Sequence, residues 1–453
     1  MKTATINICA VRSIHFRSDA SYHLSEGQHV QRSIASSPYP LLSIRQVADD
    51  IFIGNRARRV YVKNAKYGIP FLSSSDILKA DLDNVKLASK KYTPDIERMS
   101  LKKGWTLISR SGTIGNCAFA NAKHAQKLAS EDVIRLIPNN ILREGLIYAY
   151  LASKYGHSLL TQGTFGAVIQ HIEPAFVGSI AIPQFPESFQ QEVDDLIQKS
   201  ARLRENAVDA LREAVDYFDS TFKINEELTK MFSLKLSQLR LGIAAYNNNI
   251  EVDEFIGNYK ENSIRLKDIT CKIFAPPLFK HIYLSRDNGY PFMTGSELTQ
   301  FNLRFYRWLS PRGVKDINDY IVKKGTLLLY KSGTTDGGIL GNVFIADKKL
   351  DGCCLSDHVI RIVFNDEKMA YWTFAFLKSK GAVKMLQRLA TGTMIPFITP
   401  DRIAELLVPA PNEKYAHIVD LVEKYINFNS QSKEDETKAI EMVEQEIEKW
   451  NKH

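Results

Sequence analysis

The chain is poor in cysteine, has no long apolar run and carries no recognisable catalytic signature, and each lack removes a class of function. Its five cysteines (Cys9, Cys117, Cys271, Cys353 and Cys354) are odd in number and nowhere spaced as CxxC. That pattern argues against a disulfide framework and against a zinc cage, and an intracellular, cytoplasmic location is expected. No apolar stretch reaches the ~18 residues that a transmembrane helix requires. The opening MKTATINICAVRSIHFRSDA lacks an apolar core and soon turns charged, so it does not read as a signal peptide. Neither a GxSxG elbow nor an HExxH helix occurs. The turns RSGT (110–113) and KSGT (331–334) have no Lys after their glycines, so they are not nucleotide-binding P-loops. FAPPLF (274–279) loosely resembles the Pro-Pro loop of amino methyltransferases. It has Ala275 where a polar residue must hold the target amine and Leu278 where an aromatic must stack. Asp95 and Glu97 with Lys102 and Lys103 fit no ordered nuclease pattern, and Mg²⁺ ligation is not otherwise suggested.

What is present is a soluble globular composition over 453 residues, 44 % hydrophobic and 24 % charged, a length that suits two or three domains. The sequence also matches itself at a period of about 225 residues. Ile51-Phe52, Tyr61, Gly68, Pro70, Phe71 and Ser75 are answered by Ile273-Phe274, Tyr283, Gly289, Pro291, Phe292 and Ser296. GWTLISRSGT (104–113) faces GTLLLYKSGT (325–334), SEDVIRLI (130–137) faces SDHVIRIV (356–363), and YAYLASK (148–154) faces FAFLKSK (374–380). Gly163-Thr164, Ile172, Pro174 and Pro183 face Gly392-Thr393, Ile398, Pro400 and Pro409. The order never changes, so the chain is an internal duplication. Short β-like runs broken by Gly, Pro, Asn and Ser, with helical stretches among them, make each copy a mixed α+β globule.

Each copy ends in a helix. From Pro186 to Phe222, Val193, Ile197, Leu211, Ala214, Val215 and Phe218 recur at three-and-four spacing with no internal Pro or Gly, a helix of roughly 60 Å. After Pro411 a similar stripe runs through Ile418, Leu421, Val422, Ile440, Val443, Ile447 and Trp450. Its polar middle, NFNSQSKEDE (427–436), is expected to fray or interrupt it. The stripes can pair with each other as a coiled coil or cover their own domains; their length favours pairing. The reading divides the chain into domain 1 (1–183), helix and linker (184–235), domain 2 (236–410) and terminal helix (411–453).

Charge follows the same division. Residues 1–183 hold 23 Lys and Arg against 13 Asp and Glu, a net of +10, and residues 236–410 hold 23 against 17, a net of +6. The helical segments 184–226 and 411–453 carry −5 and −4 within a total of +8. Basic surface neutralises phosphates, so the globules are the expected DNA readers and the acidic helices a spacer and protein-docking surface. Candidate contacts in the first copy are Arg56, Arg58, Arg59, Lys63 and Lys66 around Tyr61, with Arg110 opening the RSGT turn. In the second copy they are Lys280 and His281 beside Tyr283, Arg304 and Arg307 in FNLRFYRW, and Lys331 opening KSGT. Arg grips guanine O6 and N7 in a fork, and Lys more often meets phosphate; either can equally be ordinary solvated surface. The Ser-Gly-Thr turns read as structural turns near the DNA, and the Gly-Thr pairs as fold-defining. Asp357-His358 is answered by Glu131-Asp132, so no His-dependent site is shared, and His358 reads as a strand-edge residue.

The plan of globule, helix, globule, helix resembles the specificity subunits of type I restriction-modification systems. The similar pieces are IRQVADDIF and LKDITCKIF, GIPFLSSSDI and GYPFMTGSEL, ISRSGTIGNCAF and LYKSGTTDGGILGNVFIA, and the closings IAIPQFPE and LLVPAPNE. The resemblance implies an α+β fold of two tandem target recognition domains, with the helices in an antiparallel coiled coil of pseudo-two-fold symmetry. It implies a non-catalytic chain that reads the two halves of a split, asymmetric target in double-stranded DNA, the helices fixing the gap. It further implies docking of two methyltransferase subunits and of restriction-translocase subunits, with S-adenosylmethionine, ATP and Mg²⁺ on those partners. A partner of a fused methyltransferase-nuclease, a self-sufficient nuclease or methyltransferase, and a protein scaffold are the alternatives.

Overall fold

The two copies build their strands in the same order. A computed structural model describes residues 26–450 apart from 57, 84, 163, 165–170, 226–232, 234, 240–243, 304–306, 334–339 and 393. The chain forms two units: unit 1 takes residues up to Glu205 and those from Gln431 onward, and unit 2 takes Asn206–Ser430.

In unit 1, α1 (Glu26–Ala35) precedes β1 (Leu41–Ser43), β2 (Ala48–Ile53), β3 (Tyr61–Val62), β4 (Gly68–Leu72), β5 (Leu87–Ser89) and the short α2 (Ile96–Met99). Then come β6 (Thr106–Ser109), β7 (Cys117–Phe119), β8 (Leu128–Ala129), β9 (Val133–Pro138), α3 (Glu144–Ala152), α4 (Lys154–Gln162), α5 (Pro174–Ser179) and β10 (Ala181–Pro183), followed by the long α6 (Glu187–Thr221). The strands form a larger sheet β2-β9-β6-β7, a smaller sheet β3-β5-β4-β8 and the pair β1-β10. All neighbours are antiparallel except β4 and β8.

Unit 2 repeats this with α7 (Ile250–Gly257), β11 (Ser263–Arg265), β12 (Thr270–Phe274), β13 (Tyr283–Leu284), β14 (Tyr290–Met293), β15 (Arg307–Leu309), β16 (Leu327–Tyr330), β17 (Val343–Ile345), β18 (Cys354–Leu355) and β19 (Val359–Phe364). It continues through α8 (Glu367–Leu377), α9 (Lys380–Arg388), α10 (Pro400–Ala404), β20 (Leu407–Pro409) and α11 (Tyr415–Trp450). Its sheets are β12-β19-β16-β17, β13-β15-β14-β18 and β11-β20. The register irregularity between Ala48 and Asp50 recurs between Thr270 and Lys272. Gly104 and Gly325, which open β6 and β16, share a left-handed φ of 86° and 83° that a side chain would strain.

Alternation along the central strands sets the layers. On β6 and β9, Ile108, Ile134 and Leu136 face the helices, packing with Leu146, Ile147 and Leu151 of α3. Leu107 and Val133 point the other way, onto Leu72 and Ala129 of the smaller sheet. Unit 2 does the same, with Leu327, Leu329, Ile360 and Ile362 on the helical side and Leu328 and Val359 on the other. Both faces are covered, which is why these strands are apolar runs; each large buried side chain contributes about 1.5–3 kcal/mol.

The long helices are shared between the units. In unit 1, Val193, Ile197 and Ala201 of α6 pack with Ala439, Ile440, Val443 and Ile447 of α11. In unit 2, Ala210, Ala214 and Phe218 of α6 pack with Ile418, Val419 and Val422. The run is antiparallel in each: Ser200 meets Ser432 in unit 1, and Glu213 and Tyr217 meet His417 and Asn412 in unit 2. The expected break at 427–436 does not occur; α11 is continuous from Tyr415 to Trp450. Its polar residues face polar partners. Ser200 donates to the Ser432 carbonyl at 2.8 Å, Lys199 pairs with Asp435 at 3.0 Å, and Glu436 accepts from the Tyr148 hydroxyl. Among the described residues no helix is long and apolar enough to cross a membrane.

Candidate nucleic-acid interface

The smaller sheet of each unit carries cations over aromatic rings. In unit 1, β5 lies between β3 and β4, with Tyr61 opposite Ala88 and Ile69 opposite Ala88 on the other side. The Phe71 amide donates to the Lys86 carbonyl, which places Lys86 beside both Tyr61 and Phe71. Lys86 Nζ stands 5.1 Å from the Tyr61 ring, and the Arg59 guanidinium 5.8 Å from the Phe71 ring. Phe71 is buried with Met99 and Leu128 beneath this edge, while Tyr61 is 40 % exposed at the rim.

Unit 2 repeats the arrangement. Phe292 lies opposite Arg307 across β14 and β15, so Arg307 holds the position of Lys86. Its guanidinium is 6.0 Å from the Tyr283 ring and 5.5 Å from the Phe292 ring. His281, two residues before Tyr283 as Arg59 is two before Tyr61, lies 5.4 Å from the Phe292 ring. A cation above an aromatic face is attracted by its quadrupole, and an exposed ring beside it offers a stacking surface.

The other expected contact residues divide between free and occupied groups. Arg56, Arg58, Lys63 and Lys66 are exposed around β3. Arg59 pairs with Glu131 at 3.0 Å and Asp132 at 3.3 Å, so much of its donor fork is already engaged. Arg110 is turned inward: it donates to the Ile172 carbonyl at 3.2 Å and to Glu173 at 2.6 Å. Lys280 and His281 are exposed, and the His281 ring lies tilted against Phe279, centroids 4.6 Å apart. Arg307 pairs with Glu297 at 2.5 Å. The Lys331 carbonyl accepts from the Ile398 amide at 2.7 Å, as Arg110 does from Ile172, so both turns hold the returning segment. Gly112 adopts φ 76° in the first turn, as a structural turn requires. Arg304, Gly163, Thr334 and Thr393 lie outside the described residues. Lys86 escapes a search for charge clusters because only the β4–β5 register sets it among the rings.

Behind each smaller sheet sits a buried arginine at the same point of the repeat. Arg135 donates to the carbonyls of Ala129, Ser130, Val133 and Met99 at 2.5–3.1 Å. Arg361 donates to those of Leu355, Ser356 and Val359. Burial pushes both guanidinium groups down to about 10, still charged at neutral pH. They fasten the strand ends β8–β9 and β18–β19 at the junction of the two sheets.

Several of the residues weighed for catalysis serve structural ends. Asp95 caps α2, accepting from the Arg98 amide at 3.3 Å and from the Asn55 side chain at 2.7 Å. Lys103 reaches Glu205 at 3.9 Å. Pro277 of FAPPLF offers its carbonyl to the Tyr320 hydroxyl at 2.8 Å. His358 immediately precedes β19 and shares a hydrogen bond with Ser332 at 3.0 Å. Among the described residues, no cluster of three His, Cys, Asp or Glu side chains has a metal-ligating arrangement, and Cys271, Cys353 and Cys354 are free thiols.

The family model described as "Type I restriction modification DNA specificity domain" matches residues 48–200 and again residues 245–442. No curated protein matches the chain. Among solved structures, the type I restriction-modification S subunit from M. genitalium is 13 % identical over 91 % of this chain and 96 % of its own, with a TM-score of 0.33. The HsdS subunit from Thermoanaerobacter tengcongensis is 13 % identical over 91 % and 96 %, at 0.29. The type IIG restriction endonuclease BpuSI is 10 % identical over 78 % of this chain and 44 % of its own, at 0.29. At such scores the family model carries the assignment.

Proposed function

Because the chain belongs to the type I restriction-modification DNA specificity family, and is a DNA specificity subunit of that kind, we propose that each unit reads one half of a split, asymmetric DNA target through the edge of its smaller sheet. The observation that carries this is the repeated constellation of Lys86, Tyr61 and Phe71 in one unit and Arg307, Tyr283 and Phe292 in the other. The same frame with different side chains suits two half-sites of different sequence. Arg56, Arg58, Lys63 and Lys66, with Lys280 and Lys331, supply the surrounding positive surface, and His281 lies beside it; Arg59 and Arg110 act mainly by holding it in shape.

The chain performs no chemistry itself in this reading. Two methyltransferase subunits and the restriction-translocase subunits dock on it in the cytoplasm, and S-adenosylmethionine, ATP and Mg²⁺ are theirs. One chain carrying two readers turns two modest binders into one bivalent binder, and the helices set the gap between the half-sites in this reading.

A genome-wide methylation map of the native host with and without the gene tests the proposal. Loss of a single split motif, other methylation being intact, is the expected result. An unchanged map in a host shown to express the methyltransferase subunits would overturn it.

A further inference from the structure

The connections β2–β3 (54–60, of which 57 lies outside the described residues) and β12–β13 (275–282) are equivalent arms on one frame. The Ser89 amide donates to the Val60 carbonyl at 2.8 Å, and the Ser310 amide to the Ile282 carbonyl at 2.8 Å. The strands on either side keep the same pairing order in both units. What changes is the chemistry at the apex.

Arm 1 is clipped at both ends. Asn55 donates to Asp95 at 2.7 Å, where Asp95 takes a left-handed φ of 49°, the single non-glycine residue to do so among those described. Arg59 is held by Glu131 and Asp132. Between the clips Arg56 and Arg58 are exposed and make no ion pair among the described residues. Arm 2 is anchored from below. Tyr320 donates to the Pro277 carbonyl at 2.8 Å and its ring lies 4.5 Å from Phe279, while two prolines fix the backbone. Leu278 stands at the apex, 84 % exposed, two residues before exposed Lys280.

A scattered exposed leucine is ordinary on a protein surface. One held on the anchored arm that in the other copy presents two exposed guanidinium groups is not scattered, and ordering it costs little on binding. We propose that the arms divide base readout by chemistry: Arg56 and Arg58 read guanine in one half-site, and Leu278 reads a thymine methyl group in the other. A guanidinium fork matches guanine O6 and N7, and an apolar side chain matches the C5-methyl of thymine, both in the major groove. The inference rests on the two-half-site reading above.

The test uses the assembled methyltransferase complex and duplexes bearing its mapped site. Each guanine is replaced in turn by 7-deazaguanine, which lacks N7, and each thymine by deoxyuridine, which lacks the methyl. One guanine replacement in one half-site should weaken wild-type binding about 10-fold or more. The same replacement should cost R56A or R58A nothing further. One thymine replacement in the other half-site should weaken wild type about 4-fold, the worth of one methyl group, and cost L278A nothing further. Losses from analogue and variant that multiply would overturn the base contact, as would variants that weaken all sequences alike, the mark of phosphate contact. The analogues on wild-type protein report even where a variant folds poorly. A wild-type complex with no split motif would instead sink the two-half-site reading on which the arms depend.

Discussion

Arg135 and Arg361 sit at matching points of VIRLI and VIRIV, where a charged residue in an apolar strand looks at first like a surface group. Each is 1 % exposed or less, and carbonyl groups rather than a carboxylate surround its guanidinium. Removing the donor strips those buried carbonyls of charge-assisted hydrogen bonds, although Ser130 and Ser356 keep a backbone amide donor each, and a carbonyl left unsatisfied costs about 1–3 kcal/mol. Arg135→Met should therefore destabilise by about 3 kcal/mol or more in urea unfolding, and Arg135→Lys should recover only part, because one ammonium lacks the planar fork. A Met variant as stable as wild type would show that water reaches the cage. His124 gives a second handle. Burial, with Arg204 and Lys127 nearby, holds its pKa at about 3 against an ordinary 6.5. The unfolded chain takes up this proton first as pH falls, so the stability that neutral His124 contributes is complete above pH 6.5 and is lost progressively towards pH 3. Urea midpoints between pH 7 and 4 should fall more steeply for wild type than for His124→Asn; parallel curves would show that His124 does not drive the loss. At this scale the sequence exposed the charged candidates but not their partners. Arg110 reads as a free cation until Glu173, far along the chain, is brought to it.

The long helices show what spacing alone reveals about an element. The apolar stripe of α6 is legible because Val193, Ile197, Ala214 and Phe218 recur at helical intervals, and each is buried in the core of its unit. The middle of α11 misled, since a polar run with no apolar stripe looks solvated. The partner helix supplies what the stripe lacks: Ser432 is fully buried against Ser200, and small hydroxyl-bearing residues let the backbones approach. Ser432→Leu should therefore cost about 1–3 kcal/mol by overpacking, although leucine is the better helix former. Unfolding that leaves Ser432→Leu as stable as wild type would mean that the helices separate at this point. The sheets teach a similar lesson. The repeat made both copies recognisable as mixed α+β, but the parallel pairing of β4 with β8 and of β14 with β18 joins strands more than fifty residues apart that no local signal links.

Across the whole chain, the basic globules and acidic helices make a prediction about DNA. Binding dominated by phosphate contact falls log-linearly with salt; with roughly 6–10 contacts, affinity drops about 10³–10⁵-fold between 50 and 200 mM. The assembled complex should behave so, and a flat response would count against phosphate-dominated binding. A second prediction follows from the duplication: exchanging residues 1–183 for another recognition domain should change one half-site only, read from the methylation motif, whereas a change in both would defeat independent reading. The sequence by itself determined the duplication, the order of globule and helix, and the division of charge, because ordered repeats, periodicity and residue counts are written along the chain. Tertiary structure alone decided which cations remain free, that Lys86 joins Tyr61 and Phe71, that Arg135 and Arg361 are buried, and that each long helix lends one half to each unit. The reason is that pairing, burial and register depend on what the fold brings opposite a residue, and those partners lie tens to hundreds of positions away.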